Sequence, residues 1–166
     1  MPQKKMTVLR PDFVYGPGDR HKLTLFKQVA KGWFPMIGIG KAKIRPTYVA
    51  DVVEAVMASM PGGPLEGGLF NIGGPEVVSV RKLIGKAAEI MGIRLNMIPV
   101  PRTLCELVLR SGPLRPKDLS RSRLMLFGKS HYVSIEKAKD SGFKPAYGLE
   151  QGLRSTIDWY RSESLL

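Results

Sequence analysis

Residues 6–20 read MTVLRPDFVYGPGDR. The short apolar run from Thr7 to Arg10 has the composition of a buried strand, and Pro11 bounds it. Proline biases the residue before it toward extended backbone and cannot itself donate to a ladder. Tyr15-Gly16-Pro17-Gly18-Asp19 then reads as a loop, because glycine and proline punctuate regular structure. Beyond it, Leu23, Phe26, Ala30 and Phe34 are spaced as one face of a helix over residues 22–34, with Gly32 near its end. A buried strand, a Gly/Pro loop and an amphipathic helix in that order point to an α/β protein.

Further elements follow along the chain. Met36-Ile37, the turn Gly38-Ile39-Gly40-Lys41, then Ile44 and Tyr48-Val49 predict a small hairpin over residues 35–49, with Pro46 placing its second arm at an edge. Asp51 and Glu54 have the spacing of a capping box, and Val49, Val52, Val53, Val56, Met57 and Met60 fall on one helical face. Residues 69–72 predict a second buried strand of the parallel type. Ser79 opens a helix whose Val80, Leu83, Ile84, Ala87, Ala88 and Met91 share a face, and Gly92 suits its end. Residues 95–100 fit a strand. Residues 103–110 and 117–127 fit helices, as do residues 134–141 between Ser134 and Gly142. Leu149, Leu153, Thr156, Ile157 and Tyr160 define the last helical face. A lone sheet of this kind leaves edges and a face uncovered, which predicts self-association or a partner chain.

A single domain is the prior at 166 residues, long enough to bury about 70% of its extended surface. No run of 18 apolar residues exists and residues 1–10 lack the core of a signal peptide. The single cysteine, Cys105, excludes an internal disulfide and fits a reducing compartment, so the expected location is cytoplasmic. The net charge is +12, but Lys and Arg are spread along the chain without an arginine-rich tract or an RNA-binding aromatic signature. A solvated basic face is the better reading than a nucleic-acid partner. Peripheral contact with a membrane surface through residues 103–114 is a weaker alternative.

Catalytic patterns are weak. Ser79-Val80-Arg81-Lys82 and Ser134-Ile135-Glu136-Lys137 both fit S-x-x-K, yet each serine sits where a helix cap is wanted. His21 and His131 are far apart and lack metal-ligand spacing, so no metal site is expected. Cys105 lies on an apolar helix and reads as core. No Tyr has Lys four residues later, and Gly38-Ile39-Gly40 reads as a turn.

Several blocks in order carry a family resemblance. LRPDFVYGPGD (residues 9–19), PTYVADV (46–52), LFNIGGPE with VSVRKL (69–76 and 78–83), IPVP (98–101), and EKAKDSGFKP with LEQGL (136–145 and 149–153) resemble segments of the extended short-chain dehydrogenase/reductases, the NAD-dependent epimerase/dehydratase family. They span nearly the whole chain. The resemblance implies the C-terminal, substrate-binding portion of an NAD(P)-binding Rossmann-like enzyme, with two parallel-type strands, a small hairpin and several helices. The N-terminal dinucleotide-binding half, with its Gly-rich turn and Tyr-x-x-x-Lys pair, is expected to be absent from these 166 residues.

The resemblance also implies roles. Pro11, Asp12 and Val14 correspond to a segment that passes the nicotinamide end of the cofactor, NAD or NADP in the intact enzyme. Phe13 stands where nucleotide-sugar epimerases commonly carry Asn, and Arg45 lies near their substrate-phosphate arginine, so both are assigned to the substrate. No catalytic residue is assigned, and the chain by itself is expected to be inactive and without bound cofactor. The implied small-molecule substrate is a nucleotide-diphosphate sugar. The alternatives are an apolar alcohol, as in the 3β-hydroxysteroid dehydrogenase branch, or a non-catalytic binding or scaffold module.

Overall fold

The computed structural model describes residues 6–110, 124 and 127–166. The N-terminal strand β1 (Val8–Pro11) pairs in parallel with β6 (Leu69–Ile72), Val8 opposite Leu69 and Pro11 opposite Ile72. β2 (Val14–Tyr15) pairs in parallel with β5 (Thr47–Tyr48), and β3 (Trp33–Ile37) with β8 (Asn96–Val100). β4 (Lys43–Ile44) meets β7 (Val78–Ser79) antiparallel. The helices are α1 (Leu23–Ala30), α2 (Val49–Ala58), α3 (Val80–Met91), α4 (Arg102–Arg110), α5 (Glu136–Asp140) and α6 (Leu149–Ser162). The α/β class and the two parallel strands are as the sequence implies.

The hairpin over residues 35–49 does not form. Its first arm pairs with β8, and its second is split at Arg45-Pro46 between β7 and β2. Pro46 interrupts the ladder, so the arms find non-local partners. The helix expected to reach Phe34 stops at Ala30. Gly32 takes the left-handed backbone (φ +78°), which costs a residue with a Cβ, and Trp33 starts β3. The inward face of α1 is accordingly Leu25, Phe26 and Val29. The helix expected over residues 117–127 and the outer part of the 103–114 segment lie largely outside the described residues. Among the described residues, no helix is long and apolar enough to cross a membrane.

The main core lies between α3 and α6. Val80, Leu83, Ile84, Ala87 and Ala88 meet Leu149, Leu153, Ile157 and Tyr160, with α1 closing one side. These are the faces the 3.6-residue period picks out. Burying each large aliphatic side chain stabilises the fold by about 1.5–3 kcal/mol. Ser79 caps α3 by accepting from the Lys82 amide at 3.1 Å, and Gly92 ends it at φ +73°. A second cluster holds Ala55, Leu65, Phe70, Ile72, Ala138 and Phe143 under β6.

Helix α2 departs from its pattern. Its N-cap is Tyr48, and Asp51 sits buried inside the first turn without capping. Asp51 and Ala55 face inward, so the small residues bring α2 close to β1 and the second cluster. The face predicted to be core points outward: Val53, Val56, Met57 and Met60 are 45–59% exposed. It shares α2 with β1, whose own second edge carries no strand among the described residues.

Candidate functional site

The carboxyl ends of parallel strands are where α/β sheets present their ligand crevices, and β1 and β6 end side by side. The Asp12 amide donates to the Ile72 carbonyl at 2.9 Å, one step past the pairing. From there the polar side chains converge on residues 130–135. Asp12 Oδ2 accepts from the Val133 amide at 3.3 Å, and Arg45 Nε donates to the Val133 carbonyl at 3.1 Å. Asn71 Nδ2 donates to the Ser134 carbonyl at 3.2 Å. Ser130 Oγ accepts from the Lys43 amide at 2.9 Å, and the His131 amide donates to the Lys43 carbonyl at 3.0 Å. Residues 130–135 are thereby strapped across the ends of β1, β4 and β6.

Arg45 is the centre of this arrangement. It is buried, and Nη1 also donates to the Gly74 carbonyl at 2.8 Å. Its guanidinium is thus engaged with backbone carbonyls and not left to solvent. Gly73 makes room for it, since a Cβ there would run into the Arg45 side chain; a Cβ at Gly74 would strike the Pro46 carbonyl. The Gly-Gly pair after β6 is a packing requirement.

The sequence-assigned residues Pro11, Asp12, Phe13 and Val14 lie together where β1 passes into β2. Pro11 is exposed, and the Asp12 carboxylate is occupied with the Phe13 and Val133 amides. Phe13 meets Phe127 edge-on at 6.2 Å between centroids, and Lys22 Nζ stands 5.2 Å from the Phe13 ring. Asp19 places that lysine: its Oδ1 accepts from the His21 and Lys22 amides and its Oδ2 pairs with Lys22 Nζ at 2.8 Å. The Tyr160 hydroxyl donates to the Asp19 carbonyl and ties the loop to α6.

Past Phe127 opens an apolar cleft of about 390 Å³ between α1, β3, the end of β8 and α4. Trp33, Phe34, Met36, Val100, Leu104 and Cys105 form much of its wall. Sequence reading missed this cleft. The signal was the five-residue extended run Trp33–Ile37, which the hairpin and the overlong helix concealed. Cys105 is buried there, and burial pushes its thiol pKa up, so it is not an activated nucleophile.

Other ionisable groups serve the frame. Lys82 and Lys137, the lysines of the two S-x-x-K matches, pair with Glu76 and with the Leu69 carbonyl. Burial, with the Asp51 charge adding to it, raises the Tyr15 phenol well above its ordinary value, and burial pushes Tyr160 up to about 12. Both remain protonated at neutral pH.

No family model matches the chain. Over 95% of its length it is 23% identical to an undecaprenol-linked N-acetylglucosamine 4-epimerase of Escherichia coli O157:H7, covering 50% of that protein. It is 27% identical over 88% of its length to a 2-alkyl-3-oxoalkanoate reductase of Stenotrophomonas maltophilia, covering 48% of it. A UDP-glucose 4-epimerase of Thermotoga maritima, solved with UDP-glucose, superposes with a TM-score of 0.67 and 28% identity, covering 95% of this chain and 46% of that one. The chain spans about half the length of the curated relatives it matches.

Proposed function

We propose that this chain, whose sequence and fold match the C-terminal part of the NAD-dependent epimerases and dehydratases, forms the substrate-side wall of an NAD(P)-dependent oxidoreductase or epimerase. The observation that carries the reading is the convergence of four segments on the carboxyl ends of β1 and β6. Asp12, Arg45 and Asn71 fix residues 130–135 there, and Phe13 leads from that edge into the apolar cleft. The intact protein would move a hydride between a substrate carbon and a nicotinamide, and this portion would set which substrate is admitted.

In this reading Pro11, Asp12 and Val14 meet the nicotinamide end of NAD or NADP, and Phe13 touches the substrate. Arg45 acts on the substrate side through the segment it anchors. The residues fit one edge of such a cofactor. Gly38 and Gly40 lead from β3 into β4 and not into a helix, so that turn offers no cradle for a pyrophosphate. The loop Gly16-Pro17-Gly18 does lead toward α1, but Asp19 sets a carboxylate between them and holds the His21 and Lys22 amides just before the helix. The nicotinamide would supply or accept the hydride. The residues here would orient the substrate carbon toward it and exclude water. Among the proteins compared are a UDP-glucose 4-epimerase and a 2-alkyl-3-oxoalkanoate reductase. A sugar-nucleotide substrate follows from the first, and the wall of the cleft favours an alkyl substrate such as the second's.

The reading also assigns a cover to α2. Residues 1–166 form one substrate-binding unit, and its partner is the dinucleotide-binding half of the protein, seated on Val53, Val56, Met57 and Met60 and along the edge of β1 that carries no strand among the described residues. Without that cover the chain is expected to self-associate. Sedimentation velocity in the micromolar range should show dimers or larger species, and the double substitution V56E/M57E should return it to monomer. A wild-type chain that sediments as a monomer throughout would remove the docking role of this face.

A further inference from the structure

We infer that the cleft between α1, β3 and α4 holds a hydrocarbon group of the substrate, an alkyl chain or alicyclic ring, and not a nucleobase. This deepens the reading above and rests on it for treating the cleft as part of the substrate site. The volume, about 390 Å³, falls within the range of roughly 300–1,000 Å³ of small-molecule pockets. Among the described residues its wall contains no Lys, Arg, Asp or Glu. The polar side-chain groups on it are those of Thr24, Gln28 and Cys105 and the indole N–H of Trp33, and Gln28 Nε2 is already donating to the Trp33 carbonyl at 3.0 Å.

A nucleobase brings several donors and acceptors into such a wall, and each one left unpaired there loses the hydrogen bonds it makes to water. A hydrocarbon group brings none and gains from every apolar area it covers. The position fits as well. The Phe13–Phe127 pair continues the apolar wall toward the carboxyl end of β1, so a chain seated in the cleft can leave its polar, reacting end at that edge.

Cys105 is the chain's single cysteine and Trp33 one of its two tryptophans, and both line the cleft. The test follows Cys105 modification by a thiol reagent and tryptophan fluorescence, in the full 166-residue chain, with 1-decanol below its solubility limit or with UDP-glucose. Decanol should slow Cys105 modification by about tenfold or more and shift the emission to the blue, while UDP-glucose changes neither. Val100→Phe fills the cleft and should weaken decanol binding by roughly 10–200-fold. Thr24→Leu removes a hydroxyl and adds apolar contact, and should tighten it about fourfold. Circular dichroism confirms that each variant is folded, and the two opposite signs keep the test decisive should one fail. Protection by UDP-glucose and not by decanol would overturn the hydrocarbon assignment while leaving the oxidoreductase reading intact, as would protection by neither. Cofactor binding by the chain alone would instead strike that reading.

Discussion

Replacing Arg45 with alanine is expected to cost about 3 kcal/mol of stability and to free residues 130–135 from the sheet edge. The guanidinium is buried and bridges two backbone carbonyls that sit 88 and 29 residues away in sequence, those of Val133 and Gly74. Hydrogen bonds from a charged donor contribute roughly 1.5–3 kcal/mol each, and removing the donor leaves its acceptors unpaired. The melting temperature should fall by about 6–12 °C for a chain of this size. Lysine would restore less than half of that, since one ammonium cannot reproduce the planar fork that spans both carbonyls. Hydrogen exchange localises the effect: the amides of His131 and Val133 should exchange faster, and those of α3 should change only by the global loss. A variant within about 0.5 kcal/mol of wild type, with unchanged exchange at Val133, would mean that the clamp contributes little.

The second large effect belongs to Asp51. The residue is 1% exposed, and Oδ1 accepts from the Ala146 and Tyr147 amides at 2.7 and 3.4 Å, tying α2 to the loop before α6. Oδ2 is buried with no hydrogen-bond partner among the described residues. Burial raises the pKa above its ordinary value, opposed by the two amides and reinforced by Glu54. A raised acid favours the protonated form in the folded state. Its stabilising contribution is therefore present below the unfolded pKa and is lost as pH rises through the folded one. Asp51→Asn keeps an acceptor for the amides and removes the charge. The Tm of the variant minus that of wild type should therefore increase from pH 4 to pH 7.5. Asp51→Ala orphans two amides and should lose about 1–3 kcal/mol. If the asparagine variant gains nothing between pH 4 and pH 7.5, Asp51 is not titrating in a buried site.

The legible parts of the fold were those where local period and packing agree. α3 and α6 bury the residues their patterns mark, because both faces find partners within the chain. α2 carries as clear a pattern and buries the opposite side. Periodicity identifies an apolar stripe but not what covers it, and here Ala55 and Asp51 take the inward positions. The hairpin failed for a related reason. Met36, Ile37 and Ile44 have strand character, but pairing between β3 and β8 or β4 and β7 is non-local, and a turn-like GIGK between two apolar runs cannot reveal it.

The candidate site was legible at one edge. Pro11, Asp12, Phe13 and Val14 run from the end of β1 into β2, where the family resemblance assigns them to cofactor and substrate. Arg45 was marked by its nearness to the family's substrate-phosphate arginine, whereas its structural work is done on backbone carbonyls that no spacing rule connects. The cleft was hidden because its wall is drawn from four separate segments with ordinary core composition. Lys22 at the Phe13 ring depends on the Asp19 turn, a local device that could have been read from the Gly-Asp sequence before α1.

The claim on which the rest depends is that these residues shape a substrate wall and leave the dinucleotide to another part of the protein. Calorimetric titration of the pure chain with NAD⁺ and with NADP⁺, up to about 1 mM, the upper end of common enzyme affinities, tests it most directly. The account predicts no saturable heat with either cofactor. Stoichiometric binding of one of them to this chain alone would contradict it.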